Sequence, residues 1–487
     1  MKSFFLYILI FLESLSATAQ KRAYHYKAET GGALQNNRLP FWLYTNQYGK
    51  ITQDAYLWGN IGLFSDFQKK DTRKFDYSFG FEGSGLLGKE DNNIFINQFY
   101  GRLRWQNLLL DIGMVNRPTE YNGLSASNGD MLWSTNARSI PGISFSSNDY
   151  IKFPWIGKWL GFKFRYAEYY MIDNRVMGRQ THLHNKMVAL HLTPIPSLSL
   201  EAGIEDYAQW GGKNRYTGIK APSNLKNYLD IILVKSGGED ANRSDQINKL
   251  GNHIGQHFVK IGYDASKWKA QLYYNHMFED GSGQKFKNLP DGLYGIYVTS
   301  KKEKQWVKSF LYELHYTKSQ SGKVHDRPAT EEEMKKQDPN DPFYGRVVLG
   351  GNDNYFNHGD YQSGWTLYGR TIGSPFFTPY SDQEGIAKGI YNNRFVAHHF
   401  GLAGNIWWDI QYKLMFSYSV NYGTHGNPFR DKDNKSISNP QYSFGAEFIA
   451  PDLHLPINIG LNIGFDQGDL LKNNFGIMLR IFKTGLF

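Results

Sequence analysis

Apolar and polar residues alternate one for one near the end of this chain. From Ile457 to Phe465 the odd positions are Ile457, Ile459, Leu461, Ile463 and Phe465, separated by Asn458, Gly460, Asn462 and Gly464. Successive side chains of a strand point to opposite faces, so this segment has one apolar face and one small, polar face. Phe475, Ile477, Leu479 and Ile481 against Gly476, Met478 and Arg480 predict a second strand, and the chain stops at the aromatic Phe487. The pattern recurs upstream. Phe75, Tyr77, Phe79 and Phe81 oppose Asp76, Ser78, Gly80 and Glu82, and Phe162, Phe164 and Tyr166 oppose Lys163 and Arg165. Leu198, Leu200, Ala202 and Ile204 oppose Glu201, Gly203 and Glu205; Phe310, Tyr312, Leu314 and Tyr316 oppose Glu313 and His315. Tyr412, Leu414, Phe416 and Tyr418 oppose Lys413, Ser417 and Ser419. Period two over so many windows predicts an all-β protein. Counting the windows gives about eighteen strands, twenty at most, with 40–46 and 343–370 fitting the pattern least well.

Connection lengths alternate too. Gln106-Asn107, Pro194 to Pro196, Ser266 and Trp408-Asp409 are short, whereas 116–142, 206–253, 280–292, 319–343 and 421–440 are long. Short periplasmic turns and long external loops are the habit of transmembrane antiparallel β-barrels, in which the apolar face meets lipid and the polar face the lumen. The fold expected is therefore such a barrel over residues 20–487, with no repeat and no linker. One helix interrupts it. Residues 223–236 carry Leu225, Tyr228, Leu229, Ile232 and Leu233 at helical spacing, after Pro222-Ser223 and before Gly237-Gly238. It is expected to cap the barrel mouth, the sharper alternative being a plug or binding platform. Thr330 and Glu333 have capping-box spacing and mark a second, shorter helix; the charge run Glu331 to Lys336 reads as a solvated loop.

Composition agrees with lipid as the outer solvent. Mean hydropathy is −0.53, yet 16% of the 487 residues are aromatic, as expected when polar lumen positions dilute a lipid face banded by aromatic girdles. No segment approaches the about 20 apolar residues of a spanning helix. Lys2, the apolar stretch Phe4 to Leu12 and the A-x-A site Ala17-Thr18-Ala19 predict a cleavable export signal over 1–19. The location expected is the bacterial outer membrane. The absence of cysteine excludes disulfides, thiol chemistry and a lipoprotein anchor. The net charge of +9 is unchanged by losing Lys2 and Glu13. In an exported protein it points to acidic glycans or lipid phosphates and not to nucleic acid.

Lumen-facing charges of both signs include Asp76, Glu82, Arg102, Arg104, Asp111, Lys163, Arg165, Glu201, Glu205, Glu313, His315, Lys413 and Arg480. They are expected to form an ion network that fills and stiffens the barrel. Catalytic signals are weak. Glu201 and Glu205 share a face, but a carboxylate pair alone does not make a glycosidase. There is no G-x-S-x-G elbow, and His182 and His184 lack a third ligand at sensible spacing. Neither an enzyme, a cofactor nor a metal is expected. Binding chemistry is better represented, by aromatic and polar residues assigned to the external rim. Trp133 lies in the 116–142 loop; Glu205-Asp206-Tyr207-Ala208-Gln209-Trp210 precedes the longest loop; Trp365 and Arg370 lie in Ser363 to Arg370. A sugar offers an apolar face to an aromatic ring and hydroxyls to acids, amides and guanidinium groups. Glu205, Asp206, Trp210, Trp365 and Arg370 are the ligand-contact residues expected, with the two indoles stacking on sugar rings. For any single Trp or Tyr the competing assignment is an interfacial girdle.

The stretches Leu39 to Gly49, Glu205 to Gly212, Tyr273 to Gly283, Lys287 to Gly295 and Ser363 to Gly373 resemble the capsule assembly Wzi family in its Bacteroidetes form. The resemblance spans most of the mature chain. It implies an eighteen-stranded outer-membrane barrel that binds capsular polysaccharide at the surface, helps hold the capsule to the cell in a lectin-like role, and has the polysaccharide export machinery as a candidate partner. The enterobacterial form carries a helical plug near its N-terminus, whereas residues 20–53 here show no long amphipathic helix. The alternative reading is a porin or substrate-specific uptake channel, distinguished by an open lumen.

Overall fold

Each strand pairs antiparallel with the one before it and the one after it, and the last pairs with the first. The computed structural model describes residues 23–68, 75–90, 92–153, 155–242, 245–246, 249–320, 327–340, 344–347, 353–407, 409–451 and 456–486. The expected signal over 1–19 lies outside the described residues, as do Trp408 and Phe487. The wall is β1 (Tyr24–Gln35), β2 (Ala55–Ser65), β3 (Asp76–Gly88), β4 (Asn92–Trp105), β5 (Leu108–Met114), β6 (Gly142–Ser147 continued by Ile151–Lys152), β7 (Leu160–Tyr170), β8 (Thr181–Ile195) and β9 (Leu198–Gly211). It continues with β10 (Asn252–Asp264), β11 (Trp268–Phe278), β12 (Gly292–Ser300), β13 (Ser309–Tyr316), β14 (Phe395–Ile406), β15 (Ile410–Asn421), β16 (Asn439–Ala450), β17 (Asn458–Gly468) and β18 (Asn474–Leu486). Both pieces of β6 pair with β7, so the closed wall has eighteen strands. The seam joins β1 to β18 with Thr30 opposite Ile481.

The faces divide as the alternation predicts. Phe465 and Leu479 are 43% and 52% exposed on the outer surface, while Asn462 and Glu82 are buried in the lumen. No described helix is long and apolar enough to cross a membrane; the strands cross it. The connections at one end are long except for 89–91 and 469–473. At the other, short-turn end, Trp105, Trp155, Trp159, Trp268, Trp306 and Trp407 stand exposed as an interfacial girdle.

The lumen is closed by its own loops. Three long-side connections, 36–54, 115–141 and 353–394, turn inward and pack on one another. The stretch 40–46 and the described residues of 343–370 prove not to be wall strands. The first contains a helical turn, α1 (Phe41–Tyr44), and the second a lumenal hairpin, Thr366–Leu367 with Arg370–Thr371. Met114 lies opposite Phe99, midway along β4, so the chain leaves the wall half-way up. Gly113 makes that exit at φ 113°, and a Cβ there would sit 2.1 Å from the Phe99 carbonyl oxygen, so only glycine fits. The loop descends to Asn122, whose amide donates to Ser309 Oγ (2.8 Å) at the short-turn end, then returns to Gly142, the register partner of Gly113.

Buried apolar side chains from these loops form one core with the inner wall. Met131, Leu132, Tyr355, Trp365 and Phe377 meet Tyr207, Ile254, Leu293 and Leu311. Backbone bonds tie the loops together: Ser134 N to Ile372 O (2.8 Å), Ser374 N to Met131 O (3.0 Å) and Tyr48 N to Thr135 O (2.7 Å). The departure from a long N-terminal helix is real, but the lumen is plugged nonetheless. Its glycines make room for this. A Cβ on Gly445 would sit 2.5 Å from Trp42 Cβ, and one on Gly401 2.8 Å from Leu124 Cβ.

The expected ion network is present around this core. Arg102 bonds Asp111 at 2.7 Å, Lys163 pairs with Glu201 at 2.8 Å, and Lys413 pairs with Glu447 at 3.1 Å, which also holds Arg480. Glu313, fully buried, accepts from Ser125 Oγ (2.5 Å), Ala126 N (2.9 Å) and Tyr273 OH (2.6 Å), latching the 115–141 loop to the wall.

The 212–251 connection behaves differently. Its helix α2 (Leu225–Ile232) is capped by reciprocal Asn224–Asn227 bonds, as the 223–236 periodicity suggests. It does not cap the mouth. It packs on the outer face of the wall with Ala208, Trp210, Ala241 and Leu250. The shorter helix α3 (Glu331–Met334) forms with the Thr330–Glu333 capping box and is solvent-exposed.

Candidate functional site

Above the packed core, the external mouth carries a cleft of about 320 Å³ between the inward loops and the tops of β15 and β16. The loop side supplies Tyr44 from α1 and Tyr368 and Arg370 from the lumenal hairpin. The wall side supplies Ser419, Asn421, Gln441 and Ser443, and Arg38 borders it. These wall positions alternate with outward residues, so strand period alone lines one side of the cleft with hydroxyl and amide groups.

Arg370 organises the floor. Its guanidinium donates to the carbonyls of Tyr44 (3.0 Å) and Ile51 and to Asn136 Oδ1 (3.5 Å), and lies 5.2 Å from the Tyr44 ring centroid. Those partners are neutral, and burial pushes its pKa down to about 10. Tyr44 OH accepts from Gln53 Nε2 (2.5 Å), and burial pushes its hydroxyl up to about 12. Tyr368 is 43% exposed, with Arg138 4.7 Å over its ring. The cleft thus offers ring faces, hydroxyl and amide groups, the guanidinium groups of Arg38 and Arg370, and the carboxylates of Asp54 and Glu90.

The five residues expected at the rim are not brought together. Glu205 and Asp206 are neighbours in β9 and therefore point oppositely. Glu205 faces the lumen, accepting from Tyr207 OH (2.7 Å) and pairing with Arg165 (3.4 Å) and Arg117 (4.0 Å). Asp206 faces outward, against Lys186 (2.8 Å) and His253 (3.1 Å). Trp210 is also outward, stacked between His182 and Tyr228 with its Nε1 on Glu168 (2.7 Å), and is buried by the 212–251 connection. Trp365 has no exposed face; it lies in the core and donates to the Leu132 carbonyl (2.6 Å). Trp133 is likewise lumenal, under Arg117 at 4.3 Å. Arg370 alone of the five borders the cleft. Tyr44 and Tyr368, which sequence reasoning passed over, sit inside the Leu39–Gly49 and Ser363–Gly373 stretches that carry the family resemblance; that was the available signal.

His182 and His184 do share a face. Both approach Glu168, at 3.6 and 3.1 Å, beneath Trp210, where they serve packing of the outer loop.

The chain is similar to several solved structures. The crystal structure of Pseudomonas aeruginosa OccK3 (OpdO) has a TM-score of 0.48 at 10% identity, covering 98% of this chain and 99% of that one. P. aeruginosa OprD gives 0.46 at 8%, covering 96% of both chains, and Acinetobacter baumannii OccAB4 gives 0.46 at 10%, covering 96% of this chain and 99% of that one. No curated protein matches. The family model described as capsule assembly protein Wzi matches residues 17–332, more than half of the chain, and this outer-membrane barrel belongs to that family.

Proposed function

We propose that this barrel binds capsular polysaccharide in the external cleft and helps hold the capsule to the cell, as a lectin-like protein without a catalytic step. The observation that carries the reading is the placement of a ring-and-amide cleft directly above a lumen filled by an apolar core. Tyr44 and Tyr368 would stack on sugar rings; Asn421, Gln441 and the serines of β15 and β16 would meet hydroxyls. Arg370 would hold the floor in shape and present its remaining N–H groups. Trp210 and Trp365 would support the wall and core without touching sugar. The packed lumen weighs against the porin reading, which needs a continuous aqueous path.

Tyr368 and Arg38 border the cleft without holding the plug, so Tyr368→Ala with Arg38→Ala tests the site cleanly. Cells carrying that variant should shed polysaccharide into the medium with synthesis intact. Unchanged retention would remove the cleft from the reading, and a large, steady single-channel conductance of the unaltered protein would favour transport instead.

A further inference from the structure

The described residues of the 212–251 connection cover a polar patch of the outer wall. Above the apolar rows of Phe164, Val188 and Ile204, the outward positions become Glu168 on β7, His184 and Lys186 on β8 and Asp206 on β9, all engaged in the ion pairs already given. Acyl chains could not solvate that belt. Helix α2 roofs it. Ile231 is fully buried against the wall, and Tyr228 stacks on Trp210 (centroids 5.1 Å) and shares a 2.7 Å hydrogen bond with the Tyr166 hydroxyl.

The helix's other side is apolar and uncovered. Leu225, Leu229 and Leu233 recur every four residues and are 74%, 50% and 59% exposed. They point away from the wall, on the outside of the barrel. Tyr166 marks their height, because it follows Phe162 and Phe164 on the same outward face of β7 at the upper edge of the lipid-facing band. Val188 and Leu190, 47% and 52% exposed, continue that band one strand over. The stripe is thus continuous with the surface the barrel already turns to lipid. Exposed lysines, Lys220, Lys226 and Lys235, flank it.

From this we infer that α2 is an interfacial helix seated in the outer leaflet, with its leucine stripe among acyl chains and its lysines at phosphate-bearing headgroups. It replaces an ionisable outer wall with an apolar one at the depth where the leaflet begins. The inference is independent of what the cleft binds.

The chain has no cysteine, so Leu229→Cys gives a single labelling site. The variant is tagged with an environment-sensitive nitrobenzoxadiazole and reconstituted into phosphatidylethanolamine–phosphatidylglycerol vesicles, with Lys432→Cys in the exposed 422–438 connection as reference. Emission at 229 should be blue-shifted and lose most of its intensity to nitroxide-bearing lipid, while aqueous iodide quenches only the label at 432. Equal iodide quenching at both sites, without quenching by the lipid nitroxide, would overturn the inference. Protection from iodide without lipid quenching would overturn it too, because protein and not lipid would then cover the stripe. Leu225→Cys and Leu233→Cys read the same stripe if the 229 variant does not fold.

Discussion

The two halves of the lumen are filled by different physics. Toward the outside, Trp365, Tyr355, Phe377, Met131 and Leu132 make a core of fully buried side chains, enclosed by the wall. Toward the short-turn end, the filling is a ladder of ion pairs, Lys27–Glu29 (3.4 Å), Arg480–Glu29 (3.8 Å) and Lys413–Glu447 (3.1 Å). Cavities of about 470 and 370 Å³ flank the descending Glu120–Asn122 tip there. A core blocks passage and fixes the loops that shape the cleft. A solvated ladder braces the wall, and each of its members shares its partners. Loss of one group should therefore cost more in the first region than in the second.

The strongest way to break the contrast is to remove the core. Gly113 and Gly142 are register partners, so a short Gly-Ser turn can replace residues 116–140. The barrel should still form, and planar-bilayer recordings should change from little or no current to a steady ionic one. A next step removes only the latch. Glu313→Ala deprives Ser125, Ala126 and Tyr273 of their shared acceptor. Leaving such buried donors unmet should cost about 3–5 kcal/mol, read as a lower denaturant midpoint and protease cleavage within 115–141.

Acidity gives a third test. Asp291 lies just before β12, where burial pushes its carboxyl up to about 6, and it accepts from Tyr355 OH (2.9 Å) in the core. The folded chain then holds this proton more tightly than the unfolded chain, whose value is near 3.8. Its contribution is full below the unfolded value and is lost as pH rises through the folded one. Stability should fall between pH 4 and pH 6 by up to about 3 kcal/mol on this account, and Asp291→Asn should flatten that part of the profile in equilibrium unfolding. The smallest effect belongs to the ladder. In Arg480→Met, Glu447 keeps Lys413 and Glu29 keeps Lys27, so the loss should be about 1 kcal/mol in the same assay. A loss as large as that of Glu313→Ala would erase the distinction between the halves.

The wall was legible because period two and alternating loop length are local properties. The inward fold of the loops was not, since nothing in 116–142 alone says which side of the wall it will occupy. A trace existed in the small faces of the last strands. Gly445, Gly464 and Gly476 lie where Trp42, Pro40 and Leu43 press against the wall, so a row of lumenal glycines announced an occupant. Treating Glu205, Asp206 and Trp210 as one cluster set aside the alternation that had identified β9, which sends the first residue inward and the other two outward. Trp365 was misplaced for a related reason. An indole in a long loop reads as surface until the loop is seen to enter a core.

The seam sets an order of assembly. Thr30 meets Ile481 across almost the whole chain, and α1, which directly follows the first strand, rests on the glycines of the final three. Neither the cylinder nor its stopper can be finished before the C-terminal ribbon arrives. Closure of the cylinder therefore requires the C-terminal ribbon, and the same ribbon supplies part of the seat on which the first inward turn rests.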